Sequence, residues 1–378
     1  MNFTDQSLGI PITKIPKTLI LIPNLSIPGG VANYYKTLGL NAISNITYFT
    51  INKEKPQSAS ATAIRLLTNY CKFIFKLIKD RYEVVVVNPS LDEGKSFYRD
   101  LIFIIITHIL NRKTVVFFHG WFEPYEEKIK RSKFKSFLFR ISYAKAGKYL
   151  VLGDIFKQKL ISLGVPPETE FFIETMVADS SYIKDLDLKN KYLTYKTEIN
   201  FLFLSRIEKE KGIYIAIDAF KEFLNKFPQR RSSLIIAGDG LDLPAVKAYV
   251  EGNEIPNIKF LGHVSGENKR KVLLESHVMI FPSFTEGLPN VILEGMLYGM
   301  PIISRVTGGI PEVVHQKING YLSESFNPSV FADFLSILAL DEELYKKIAK
   351  ENHSTALEKY TVEKVRERIF NIFGKIEV

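Results

Sequence analysis

Short apolar runs alternate along the chain with longer segments whose apolar positions recur every three to four residues. Residues 18–24 (TLILIPN), 83–88 (EVVVVN), 114–120 (TVVFFHG) and 149–152 (YLVL) read as buried strands. Between them, 61–80 (ATAIRLLTNYCKFIFKLIKD) and 134–144 (FKSFLFRISYA) carry helical spacing. After a polar stretch at 179–198 the pattern restarts with strands at 199–206 (INFLFLSR), 233–240, 258–264, 278–283 and 301–304. Strands alternating with helices predict parallel sheets covered on both faces. The chain therefore reads as α/β, with two doubly wound Rossmann-like domains facing a cleft and helices at the C-terminus. The expected boundaries are 1–180, a linker over 181–198, 199–360, and a terminal helix over 361–378 that can cross back to the first domain.

In open parallel sheets, ligands bind beyond the carboxyl ends of the strands. Two such domains suit a two-substrate transferase, or a periplasmic-type binding protein. Met1 is not followed by a basic segment, an apolar core and a small-residue cleavage site, which speaks against the second reading. The single cysteine, Cys71, leaves no internal disulfide and fits a reducing, cytosolic setting; with Trp121 it is expected to serve packing. The most apolar run, 101–110, falls short of the roughly 20 residues that span a bilayer.

Charge separates the two halves. Residues 1–190 hold 26 Lys+Arg against 17 Asp+Glu, while the remainder holds 24 of each, so the whole excess of +9 lies in the first half. An anionic partner for the first domain is implied. The basic stretch 128–148 (KIKRSKFKSFLFRISYAKAGK) adds a specific expectation. Phe134, Phe137, Leu138 and Ile141 form one helical face, expected to pack on the sheet. Phe139 falls on roughly the opposite side near Lys135 and Lys133, suiting contact with an anionic membrane surface.

The chemistry concentrates in residues 281–314 (FPSFTEGLPNVILEGMLYGMPIISRVTGGIPEVV). Pro289 suits the first turn of a helix, and Gly299 with Pro301 suits its end. The turn Glu286–Gly287–Leu288–Pro289–Asn290 then offers free backbone N–H groups and a helix dipole to an anion. Glu294 lies about 7 Å further along, at ~1.5 Å per residue. An isolated glutamate pair on a helix is usually a solvated face. Here the flanking turn points to an anionic, hydroxyl-rich ligand such as a nucleotide sugar.

This stretch resembles the signature of retaining glycosyltransferase family 4 (glycosyl transferases group 1), which have the GT-B fold. Glu286 and Glu294 match its E-x7-E pattern; Gly308, Gly309 and Glu312 match the Gly-Gly-x-x-Glu that follows. FLSRIEKEKG (203–212) matches the segment whose Arg and Lys, here Arg206 and Lys211, bind the donor diphosphate. IIAGDG (235–240) and FLGHV (260–264) are further landmarks, the latter placing Gly262, His263 and Val264 near the donor base. PGGVANYY (28–35), with Gly29 and Gly30, resembles the family's glycine loop, and FFHGW (117–121) places His119 near the transferred sugar.

The resemblance implies a hexosyltransferase that moves sugar from a UDP- or GDP-sugar to a glycan or lipid-linked acceptor. Bacterial capsule, lipopolysaccharide or other surface polysaccharide assembly is the implied setting. Glu294 would hold ribose hydroxyls, Glu286 the sugar, and Arg206 with Lys211 the leaving diphosphate. No Asp-x-Asp or histidine cluster is in place for a metal, so no metal or other cofactor is expected; no nucleic acid is expected as partner either. His277 and His315 are read as structural. The alternatives are a nucleotide-sugar epimerase of the same fold, a glycogen-synthase-like or sucrose-synthesising relative that shares these motifs, a non-catalytic nucleotide-sugar-binding protein, and a structural protein that binds no nucleotide.

Overall fold

In the computed structural model, described for residues 15–376 apart from 28, 52–57, 92–94, 180–182 and 184–185, the chain divides into two units. The first comprises residues 1–177 and 362–378, the second residues 178–361.

The first unit contains strands β1 (Thr18–Ile22), β2 (Ile46–Thr50), β3 (Val84–Val87), β4 (Ser90–Leu91), β5 (Lys113–Phe117), β6 (Gly120–Trp121), β7 (Lys148–Val151) and β8 (Glu170–Ile173). Its main sheet is parallel in the order β2-β1-β3-β5-β7-β8, and β4 pairs with β6. Every residue of β1 and β3 is buried, as expected of strands covered on both faces. Its helices are α1 (Gly30–Leu38), α2 (Ala59–Asp80), α3 (Lys95–Ile109), α4 (Glu123–Arg131), α5 (Lys133–Ile141) and α6 (Asp154–Ser162).

Four findings differ from the sequence-based expectation. The residues described at the end of the expected linker form a helix, α7 (Leu188–Thr197), within the second unit; residues 181–182 and 184–185 of that stretch lie outside the described residues. Its buried positions are Lys191 and Tyr195, which composition alone reads as surface. The Lys191 Nζ donates to the carbonyls of Leu273 and Tyr298, at 2.9 and 2.8 Å. Burial pushes its pKa down to about 7. The Tyr195 ring stacks on Tyr345 at 4.0 Å. Amphipathic side chains bury their stems while their heads find partners.

Second, Phe139 is fully buried, whereas Phe134 and Phe137 are exposed. The basic stretch breaks at Ser132, whose hydroxyl accepts from the Lys135 N–H and starts α5 afresh. Phe139 then stacks on Tyr143 at 5.4 Å, and Tyr143 is anchored through its hydroxyl to the Phe97 carbonyl. Both faces of this nine-residue helix carry phenylalanine, so periodicity could not tell inside from outside. Third, Cys71 is exposed rather than packed; Trp121 is buried, and its Nε1 donates to Glu126. Fourth, Pro289 sits at the N-cap in extended conformation, one residue before its helix starts.

The second unit holds β9 (Ile199–Leu204), β10 (Ser232–Ala237), β11 (Ile258–Gly262), β12 (Val278–Phe281), β13 (Ile302–Arg305) and β14 (Gly320–Ser323). They form a parallel sheet in the order β11-β10-β9-β12-β13-β14. Helices α8 (Ile213–Lys226), α9 (Leu243–Gly252), α10 (Gly266–Glu275), α11 (Asn290–Leu297), α12 (Ile310–Val313), α13 (Pro328–Leu340) and α14 (Glu342–Lys359) accompany it. The last helix, α15 (Val362–Gly374), belongs to the first unit. There Arg368 pairs with the buried Glu174 at 2.7 Å, and the Arg366 guanidinium donates to the Leu38 carbonyl.

Candidate active site

In the second unit the strand order reverses between β9 and β12, so the loops after these two strands diverge and leave a crevice at their carboxyl ends. Arg206 and Lys211 lie on the first loop and Glu286 on the second. Lys211 Nζ meets Glu286 Oε1 at 2.6 Å, and the buried Ser283 hydroxyl donates to the same oxygen at 2.8 Å. Arg206 projects further out, 69% exposed, with its guanidinium on Glu208 at 2.7 Å. Sequence positions 75 residues apart are thus joined by an ion pair at the switch point.

Glycines make that closeness possible. A Cβ on Gly212, at φ +77°, would lie 2.1 Å from the Pro282 carbonyl. A Cβ on Gly308, at φ +54°, would lie 2.2 Å from the Glu286 carbonyl, and the Gly309 N–H donates to the Gly287 carbonyl at 2.6 Å. The glycine pair after β13 therefore props the Glu286 turn; Glu312 follows it, on α12. Arg305 packs against the loop just before this turn, through Phe284. Its guanidinium lies 3.6 Å from the Phe326 ring and 5.6 Å from that of Phe284, and it donates to the carbonyls of Glu324 and Ser325.

Glu294 is the fifth residue of α11 and is only 4% exposed. Its Oε1 is held by Lys269 Nζ at 2.6 Å. Its Oε2 is buried and has no partner, and neither has the buried Oδ1 of Asn290, one turn earlier on the same face. Burial pushes the Glu294 carboxyl above its ordinary range, while Lys269 pulls it back. Two orphaned acceptors on one helix face ask for donors, and hydroxyls of a ligand are donors. Sequence reasoning missed Lys269, which sits among polar residues of α10 with nothing to distinguish it from a solvated lysine. Gly262, His263 and Val264 close β11; Gly262 takes φ +68°, His263 is exposed, and Leu288 is buried under the turn.

The other expected residues lie in the first unit. Gly30 opens α1 and Gly29 caps it, each with open space where a Cβ would stand. His119 follows β5 and is 8% exposed. The Asn88 amide donates to the Leu21 carbonyl at 2.8 Å, so its Oδ1 is the acceptor for both the Tyr35 hydroxyl (2.7 Å) and His119 Nε2 (3.0 Å). The Nε2 of His119 therefore carries the proton, and the buried, unpartnered Nδ1 presents a bare lone pair. Burial among Phe117, Tyr34 and Tyr35 pushes its pKa down to about 3, so the ring is neutral. His277 is also neutral, with a pKa pushed down to about 3 by burial. It accepts from the Asn200 N–H and pairs with Thr194, a structural clasp.

Among the described residues no group of three or more His, Cys, Asp or Glu could hold a metal ion, and no helix is long and apolar enough to cross a membrane.

Two doubly wound parallel α/β units of this kind define the GT-B class of fold. HepE of Anabaena, crystallised with UDP, matches 95% of this chain and 100% of its own, with a TM-score of 0.72 at 18% identity. Residues 185–355 match the family model of glycosyl transferases group 1. The similarity to the group 1 glycosyltransferases thus lies in the second unit, over residues 185–355. Among curated relatives, N-acetyl-alpha-D-glucosaminyl L-malate synthase of Bacillus anthracis is 28% identical over 179 residues, 47% of this chain and 46% of that protein. The amylovoran biosynthesis glycosyltransferase AmsK of Erwinia amylovora is 24% identical over 199 residues, 51% and 47% respectively. The chain spans about half the length of the curated relatives it matches.

Proposed function

We propose that the protein is a retaining, hexosyltransferase-like enzyme that transfers a sugar from a UDP- or GDP-sugar to a glycan or lipid-linked acceptor in cell-surface polysaccharide biosynthesis. The observation that carries this reading is the pair of glutamates at the switch point of the second unit. One is tied to a lysine beside a helix N-terminus; the other is buried with an oxygen to spare. The UDP held by the Anabaena neighbour and the amylovoran role of the Erwinia relative support donor class and setting.

In this reading Glu294 accepts from the ribose hydroxyls, and Asn290 adds an acceptor on the same face. Glu286 accepts from hydroxyls of the sugar, with amides of the turn 287–290 beside it. Lys211 and Arg206 face the diphosphate and stabilise the negative charge that grows on it as the glycosidic bond breaks; losing one such group typically costs on the order of 2–4 kcal/mol of transition-state stabilisation. Because a diphosphate leaves without a proton, the two glutamates are not an acid and nucleophile pair of the glycosidase kind. The acceptor hydroxyl attacks the face from which the diphosphate departs and gives its proton to the departing phosphate oxygen, which retains configuration. In the first unit, neutral His119 keeps the lone pair of Nδ1 available to accept from a hydroxyl. With two cations on one loop, the step proceeds without a metal.

Isothermal titration with UDP and GDP, followed by a screen of nucleotide-sugar hydrolysis without acceptor, tests the reading. Binding of one nucleotide with slow hydrolysis of its sugar is expected. No binding of either nucleotide would leave only a structural role for the second unit.

A further inference from the structure

The first unit displays more apolar surface than its own core accounts for, and it does so in a pattern. On α2, Ile64, Leu67, Phe75 and Ile78 are between 59% and 66% exposed, and on α5, Phe134 and Phe137 are 65% and 58% exposed. Large apolar side chains exposed singly are ordinary; a contiguous patch is not.

At about 100° per residue, the four α2 positions fall within an arc of roughly 80° and form one stripe along a helix about 33 Å long. Phe73 and Leu77 lie on the far side and are fully buried, so the stripe is not the core face. Beside it, Lys79, Lys72, Arg65 and Lys76 occupy an adjoining sector about 60° wide. Asp80, the only acidic residue of the helix, pairs with Lys76 at 3.0 Å, and Arg65 donates to the Ile51 carbonyl, so Lys72 and Lys79 are the exposed cations of this sector. The helix thus has three sides: one buried, one apolar and exposed, one cationic.

The neighbouring helices extend the pattern. The crossovers β2→β3, β3→β5 and β5→β7 all move the same way across the sheet, and right-handed connection puts α2, α3 and α5 on one face. α3 touches both α2 and α5. On α5 the face richer in apolar residues is the one turned outward, the reverse of what solubility favours, and Lys133 beside it is exposed.

We propose that this face of the first unit, with α2 as its main contact, lies on an anionic lipid surface, the apolar stripe entering the acyl boundary and the lysines meeting headgroups. Charge complementarity selects this occupant. A second copy pairing through the same face would bring the exposed lysines of two helices into one interface, whereas an anionic headgroup layer neutralises Lys72 and Lys79 directly. The proposal does not rest on the transferase reading, and it places the anionic partner implied by the excess charge of the first half on a helix other than the basic stretch 128–148.

Cosedimentation with vesicles of phosphatidylglycerol and phosphatidylcholine in equal parts, against vesicles of phosphatidylcholine alone, tests it on the full chain. Binding is expected only with the anionic vesicles, fading as salt rises. Lys72→Gln with Lys79→Gln should weaken partitioning about 25-fold, about fivefold for each charge. Leu67→Gln with Phe75→Gln should weaken it by about tenfold or more. These four side chains are exposed, and UDP titration reports separately whether each variant keeps a working second unit. Equal recovery with neutral vesicles, or full binding by the Leu67→Gln/Phe75→Gln variant, overturns the proposal. So does light scattering that shows a dimer dissociated by that variant without any vesicle binding, which would assign the face to a second copy.

Discussion

Replacing Lys269 by methionine isolates what holds Glu294 ready. The lysine touches no reacting atom in the proposed chemistry; it acts through the buried carboxylate it pairs with at 2.6 Å. Breaking a buried pair by removing one partner typically costs about 3–5 kcal/mol while the remaining group stays charged. Protonation limits that loss. Burial already raises the Glu294 pKa in the folded state, so its contribution to stability is fully present below the ordinary carboxylate pKa. It is lost as pH rises through the folded value. Without Lys269 the folded value rises further and the loss extends to higher pH, with a slope of at most about 1.4 kcal/mol per pH unit for one proton. Urea unfolding of Lys269→Met should therefore show a larger deficit at pH 8 than at pH 6. Adding Glu294→Gln should recover much of it, since no charge is then buried. Lys269→Arg should behave nearly as the parent, and the pH profile of UDP affinity should shift only in the methionine variant. An equal deficit at both pH values, with no recovery by Glu294→Gln, would refute the argument.

Three other perturbations test the site. Glu294→Ala should weaken nucleotide binding while Glu286→Ala mainly lowers kcat, because ribose contacts form in the ground state and sugar contacts count at the reacting centre; identical kinetics for parent and both variants would remove the donor-site assignment. Arg206→Ala and Lys211→Ala should each slow transfer by about two to three orders of magnitude, with parent activity persisting in EDTA; strict dependence on added magnesium or manganese would contradict the metal-free step. Gly308→Ala should displace the Glu286 turn and lower activity well beyond its effect on melting temperature, since its Cβ would sit 2.2 Å from the Glu286 carbonyl at φ +54°; activity unchanged from the parent would show that the turn is not propped there.

Much of the architecture was legible because its signals are local. The apolar runs of β1, β3 and β9, the last broken only by Asn200, marked strands covered on both faces, and their alternation with amphipathic segments marked two parallel sheets. The turn at 286–290 was legible from its Gly, Pro and Asn, and Gly308 from the family resemblance; the close backbone approach that requires glycine at Gly308 and Gly212 is visible only in the structure. What depended on three dimensions was invisible. Lys191 and Tyr195 read as linker until their partners in distant elements were known. Phe139 and Phe134 exchanged places because a nine-residue helix with phenylalanine on both faces has no intrinsic inside. Lys269 looks like any surface lysine, and only the fold brings it to a glutamate 25 residues away. Sequence determines which segments must be buried somewhere; tertiary packing decides which polar group meets which, because that choice is made by neighbours far along the chain.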